Sequence, residues 1–215
     1  MRLRSLLSAA LCLAATSLPA QSFTNGSLTG PIANNGVPAG WSSLAGSPDT
    51  MDQFNNVGTP GVSSFGATPS ASPNGGTWVG IGREGTGFIE RFGQTVSGFS
   101  IGQSYTVSWF VSNFGYTDFG YTNSNQIEVL VNGVSIGSGA MRALSTGWEA
   151  QSLLFTATAA TQQIAFQLGS NNKSYMGIDG IAFGPSTVVP EPATFALLAA
   201  GAGVLGLVAR RRRQR

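Results

Sequence analysis

Histidine is absent from this chain, and cysteine nearly so. Among 215 residues the one cysteine is Cys12, inside an apolar N-terminal run. Metal sites built from His or Cys are therefore excluded, as are catalytic centres that use either as base or nucleophile. A disulfide framework is excluded too, so the redox compartment must be inferred from targeting segments alone. Charge is scarce at 9% of residues, and it is unevenly placed. Seven of the eleven basic side chains are terminal: Arg2, Arg4, Arg210, Arg211, Arg212, Arg213 and Arg215. Between residues 21 and 186, only Arg83, Arg91, Arg142 and Lys173 stand against eight carboxylates, a formal −4. The basic isoelectric point belongs to the tail and is no argument for a nucleic-acid partner. Sustained helical periodicity is also missing, which leaves β structure as the expectation for the middle of the chain.

The two ends read as targeting segments. Residues 1–20 have the pattern of a secretory signal peptide, with Arg2 and Arg4 as the charged region and residues 6–15 as a short apolar run. Signal peptidase is expected to cut after Ala20, with sites near Ser17 or Ser22 as alternatives. A lipoprotein reading fails because Leu11, a large residue, precedes Cys12. At the other end, Pro190-Glu191-Pro192 precedes an uncharged stretch over residues 193–209, followed by Arg210, Arg211, Arg212 and Arg213. As a helix that stretch is about 26 Å long at about 1.5 Å per residue. This is just short of a hydrocarbon core of about 30 Å. The arginines should act as a stop-transfer signal and stay cytoplasmic, leaving the middle of the chain outside.

Val189 through Thr194, the Gly/Ala/Leu-rich stretch and the basic terminus together resemble the PEP-CTERM sorting signal. The resemblance covers about the last 27 residues. It implies an exosortase-type membrane protease that cuts at Pro190, Glu191 and Pro192. It also implies inner-membrane anchoring before processing and then release to the cell surface or exopolysaccharide matrix of a biofilm-forming Gram-negative bacterium. An ordinary permanent anchor behind a stiff Pro linker is the plainer alternative.

Three segments follow: a signal peptide over 1–20, a β-sandwich ectodomain over 21–186, and the sorting signal over 187–215 with a single transmembrane helix at 193–209. Within the ectodomain, strands are expected at 77–82, 87–96, 104–112, 126–131, 148–156, 162–168 and 177–183. Tyr105, Val107, Trp109 and Val111 alternate with smaller or more polar residues, so Trp109 should face the core. Asn132-Gly133 is a two-residue hairpin signal between 127–131 and 134–136. Residues 55–76 read as one long Gly/Ser/Pro-rich loop. Several strands at regular spacing favour an all-β, two-sheet jelly roll. Asn25-Gly26-Ser27, Gly40-Trp41, Gln94-Thr95-Val96, residues 101–105, Trp148 and residues 178–183 resemble galactose-binding-like domains of bacterial surface proteins. Glycan binding follows from that resemblance only by analogy.

The most suggestive local feature is the tetrapeptide Phe-Gly-Tyr-Thr, which occurs at 114–117 and again at 119–122. Phe114, Tyr116, Phe119 and Tyr121, among amide side chains, offer rings for sugar stacking and donors for hydroxyls. The same rings would serve equally to cover an open end of the core. Asp49 with Asp52, or Asp118 with nearby amides, offers oxygen ligands for a structural calcium ion, but none has the spacing of an established calcium loop. Solvated turn carboxylates are the default there, and no cofactor is expected. Glu84 and Glu90 bracket Gly85-Thr86-Gly87, a hairpin connection, and read as rim charges rather than a glycosidase pair. Asp179 is expected to fix a strand end. No catalytic residue is expected. The chain reads as a non-enzymatic matrix or surface component, with a surface carbohydrate-binding module as the alternative and a secreted glycan hydrolase behind both.

Overall fold

The computed structural model describes residues 21–54, 69–145 and 147–184. The signal peptide, the Pro-Glu-Pro motif, the transmembrane stretch and the arginine cluster all lie outside the described residues.

Among the described residues, eleven strands run in the order β1 (Ser42–Ala45), β2 (Asp49–Met51), β3 (Trp78–Glu84), β4 (Phe88–Ile89), β5 (Arg91–Ser97), β6 (Ser104–Ser112), β7 (Ile127–Val131), β8 (Val134–Ser138), β9 (Glu149–Thr156), β10 (Thr161–Leu168) and β11 (Ser174–Phe183). They form two antiparallel sheets, β1-β5-β10-β7-β8 and β2-β3-β11-β6-β9, with β4 paired to β3. The path is one long hairpin folded over on itself. Its tip is β7–β8, and behind the tip β6 pairs β9, β5 pairs β10 and β3 pairs β11. The β10–β7 and β11–β6 ladders then close each sheet across the middle.

The tip turns where expected. Asn132 and Gly133 both take positive φ, 51° and 79°. That conformation matches the twist of a tight hairpin and suits Asn and Gly. Strand β6 spans the expected 104–112, and Tyr105, Val107, Trp109 and Val111 all point into the core; Trp109 is 1% exposed. From the facing sheet, Phe92, Ile164, Phe166 and Leu168 fill the same cluster, with the Phe166 ring 6.2 Å from Trp109. Aromatic pairs at such distances add about 0.5–1.5 kcal/mol beyond their area burial.

The residues behind the galactose-binding-like resemblance do structural work in this core. Asn25 takes φ 53° and donates its amide to Thr29 and Ala39 carbonyls, each at 3.0 Å. Trp41 Nε1 donates to the Asn25 carbonyl at 2.9 Å. The Gln94 amide group accepts from the Thr24 N–H at 2.8 Å and donates to the Gly40 carbonyl at 2.7 Å. These bonds hold the N-terminal segment against β5, satisfying groups that burial would otherwise strand.

Two strand expectations need correction. The segment 87–96 is not one strand. Residues Phe88–Ile89 pair with β3 in one sheet, and Arg91–Ser97 pair with β1 and β10 in the other. Glu90 is the crossing residue, its N–H bonded to the Gly82 carbonyl at 3.0 Å. A continuous β pattern carries no mark of which sheet each half joins. Strands β1 and β2 were not expected at all, being too short for alternation to show.

A second, smaller core lies on the outer face of the β2-β3-β11-β6-β9 sheet. On β3, Val79 and Ile81 face the main core while Trp78 faces outward; on β11, Met176 and Ile178 face inward while Tyr175 faces outward. Met51, Phe114 and Tyr116 join Trp78 and Tyr175 in this outer cluster. The loop between β6 and β7 and the segment before β2 cover it, and the candidate site is built against it.

Candidate functional site

The covering loop starts at Asn113, whose Nδ2 donates to the Asn123 carbonyl at 3.1 Å and the Arg142 carbonyl at 2.8 Å, closing the loop's neck. Tyr116 and Tyr121 exchange both backbone hydrogen bonds, at 2.9 and 3.0 Å. Between them Thr117–Phe119 make one 3-10 turn, ended by Gly120 at φ 70°. Gly115 takes φ 68°. Both glycines thus supply the left-handed backbone that lets the chain reverse within nine residues.

This geometry separates the four rings that the sequence grouped as glycan contacts. Phe114 is 0% exposed, wedged against Trp78 at 6.0 Å and Tyr175 at 6.2 Å. It is a core residue here, unlike the other three, because the chain enters the loop pointing into the outer cluster. Tyr116, Phe119 and Tyr121 instead line an open pocket of about 330 Å³, together with Asn34, Asn35, Ser47, Asp49, Phe88, Glu90 and Tyr175. That volume lies at the small end of ligand sites, which span about 300–1,000 Å³. Phe119 sits at the turn tip and is 55% exposed. The rings stand at steep angles: Tyr116 to Phe119 is 5.0 Å at 57°, and Tyr121 to Tyr175 is 6.5 Å at 80°.

Two carboxylates reach into the pocket. Asp49, on β2, accepts from the Tyr175 hydroxyl at 2.6 Å and from the Asn35 N–H at 2.9 Å. Burial holds its carboxyl above the usual range, against the pull of those bonds. Glu90 accepts from the Gly82 N–H at 2.5 Å and the Ser47 hydroxyl at 3.1 Å. Burial, and then the Asp49 charge beside it, push Glu90 up to about 8. Burial and the same two carboxylates also drive the Tyr175 phenol well above its normal value. The bare faces of Gly80 and Gly82 make room for this arrangement. A Cβ on Gly80 would meet the Tyr175 hydroxyl at 2.3 Å.

Glu90 is therefore no rim charge, and Asp49 is no solvated turn residue: they are 3% and 5% exposed. Sequence reasoning had the carboxylates in hand but not their burial. The one available signal was Glu90 inside an otherwise β-patterned run. Glu84 does stay at the surface, paired with Lys173 at 3.0 Å, and Lys173 lies 4.7 Å over the Tyr121 ring. Asp52 accepts from the Phe54 N–H at 2.8 Å in a local turn. Among the described residues, no group of three or more His, Cys, Asp or Glu is gathered to hold a metal ion. Asp179 lies inside β11 rather than at a strand end, beside the bulge at Gly180. The Ser72 hydroxyl donates to it, and burial pushes it up to about 7.

Among solved structures, the arabinose-bound α-L-arabinofuranosidase MgGH51 aligns with a TM-score of 0.50 and 12% identity, over 77% of this chain and 26% of that one. The chain thus spans about a quarter of that enzyme's length, and the likeness is one of fold. The module TmCBM61, in complex with β-1,4-galactotriose, aligns at 0.44 and 13% identity over 68% of this chain and 88% of its own. A CBM4 structure aligns at 0.42 and 16% identity over 76% and 99%. No curated protein sequence matches the chain. Residues 188–213, which include Pro190, Glu191, Pro192 and all four of Arg210, Arg211, Arg212 and Arg213, match the family model of the PEP-CTERM protein-sorting motif, and the chain carries that motif.

Proposed function

We propose that this is an exported surface protein, sorted through its Pro-Glu-Pro tail, whose β domain holds a carbohydrate in the outer-face pocket without cleaving it. The nested path, with β3, β11, β6 and β9 in one sheet and β5, β10, β7 and β8 in the other, supports reading the two-sheet sandwich as a jelly roll. The observation that carries the reading is the open pocket itself. Aromatic faces, one of them 55% exposed at Phe119, stand beside amide, hydroxyl and carboxylate groups. Sugar rings are recognised by that combination of apolar faces and few placed polar groups.

Binding without cleavage is favoured by how the two acids are held. Asp49 already accepts hydrogen bonds from two donors of the fold and Glu90 from three. A glycosidase needs one carboxyl free to give its proton to the leaving oxygen and a second poised across the bond. The setting is the cell surface or exopolysaccharide layer, reached after signal peptidase and an exosortase-type protease have acted.

Co-sedimentation of the full chain with a panel of polysaccharides tests the binding half. Retention that Phe119→Ala abolishes supports it; retention on none points to a matrix component without a glycan ligand. Release of reducing ends during incubation would show a hydrolase instead. For sorting, the mass of the mature C-terminus decides. Glu191→Ala should leave export intact and trap a form still carrying residues 193–215. A wild-type protein that still ends at Arg215 would make the tail a permanent anchor.

A further inference from the structure

The pocket lining contains five aromatic rings and two carboxylates but no Lys or Arg. Buried carboxylates are ordinarily matched by a cation or lose their charge. Here Asp49 and Glu90 receive only neutral donors, namely a phenol, a serine hydroxyl and the backbone N–H groups of Asn35, Ser47 and Gly82. The cations among the described residues have other partners, and none belongs to the lining. Arg83 donates to the Leu168 carbonyl and Asn171, Arg91 to Gln167, Arg142 to Glu149, and Lys173 pairs with Glu84.

We propose that the pocket selects an amine-bearing sugar, its ammonium group seated among the rings and against Glu90 and Asp49. The inference rests on the glycan-binding reading above and names the class of glycan. Rings at mutual angles of 57–80° make the walls of a cage rather than one flat platform. The negative π face of such a ring attracts an organic cation. The Tyr121 ring already takes an ammonium in this way, from Lys173 at 4.7 Å. A calcium ion is the wrong occupant, because it seeks six to eight oxygens rather than ring faces. A uronate polymer is also disfavoured, since its carboxylates would meet Asp49 and Glu90 with no cation between them. Burial first, and then the Asp49 charge, raise Glu90 to about 8, and a bound ammonium would supply the counter-charge that the pair lacks.

The test is calorimetric titration of the full chain with three linear tetrasaccharides: β-1,4-glucosamine, its fully N-acetylated form and β-1,4-glucose. The glucosamine tetramer should bind at least about tenfold more tightly than either neutral one. Glu90→Gln should remove that advantage, weakening the amine ligand about tenfold or more. The fold should survive, because Gln matches Glu in shape and keeps an oxygen for the Gly82 N–H. Phe119→Ala, at an exposed turn tip, gives a second variant with no folding penalty and should weaken the amine ligand as well. Glu128→Gln, on the opposite sheet, should change nothing and so excludes attraction by overall charge. Equal or tighter binding of the N-acetylated or glucose tetramer overturns this inference while leaving the glycan-binding reading intact. Binding of none of the three also overturns it, and the polysaccharide panel then judges the broader reading separately.

Discussion

The two copies of Phe-Gly-Tyr-Thr, at 114–117 and 119–122, are identical in sequence and opposite in role. The first Phe is fully buried; the second is 55% exposed at the tip of a turn. The first Thr opens the 3-10 turn, while the second bridges to Ser174 on β11. The glycines behave alike, both at positive φ, and the tyrosines pair with each other and both line the pocket. The difference lies in where each copy stands relative to the sheet. Phe114 leaves β6 directly over Trp78, where the outer face of the sheet has a space to fill. Phe119 comes five residues later, after the chain has turned away. A tetrapeptide therefore settles its own backbone preferences but not which of its rings is core and which is available to a ligand.

Substituting the two phenylalanines should break the symmetry most visibly. Phe114→Ala should cost about 3–5 kcal/mol of stability, as other fully buried phenylalanines do, read as a lowered denaturation midpoint. A loss similar to that of an exposed residue would put Phe114 outside the outer core.

The next largest effect is a pH dependence set by two buried acids, Glu90 in the pocket and Asp179 outside its lining. Glu90 stands at about 8 in the fold against 4.5 for a free Glu, and Asp179 at about 7 against 3.8. Between those values the folded state holds protons that the unfolded chain releases. Stability therefore falls as pH rises from about 5 to about 8, by an amount on the order of a few kcal/mol. Denaturant titrations at both ends of that window should show it, and Glu90→Gln should flatten part of the slope. A stability that rises across the same window would mean that neither acid is held neutral.

Tyr175→Phe should cost less, about 1–3 kcal/mol, because it leaves Asp49 buried without the hydroxyl that faces it. The Asp49 carboxyl should then rise further, since the hydrogen bond that lowers it is gone. A carboxyl-resolved NMR titration reads this directly. Smallest in stability is Phe119→Ala, expected within about 0.5 kcal/mol of wild type, as for other exposed sites. Its effect should appear in glycan retention instead. A large stability loss there would erase the contrast between the two copies.

Some of this was legible along the chain and some was not, and the division follows contact range. The β6 phase, with Trp109 inward, and the Asn132-Gly133 hairpin are local patterns of two to nine residues, and they appear as read. The strand 87–96 failed because crossing between sheets at Glu90 leaves no local trace. Strands β1 and β2 failed because three or four residues cannot display a period.

The sequence by itself determined the targeting logic of the tail and the β character of the middle. Both are written in contiguous residues: a Pro-Glu-Pro motif before an uncharged stretch and arginines, and short alternating runs between turns. Tertiary structure alone decided the pocket. Asp49 meets Tyr175 across 126 positions of chain, and Glu90 becomes buried only because β2, β4 and the β6–β7 loop close around the outer face of one sheet. Burial and charge pairing at that distance are properties of packing, and no residue type or spacing encodes them in advance.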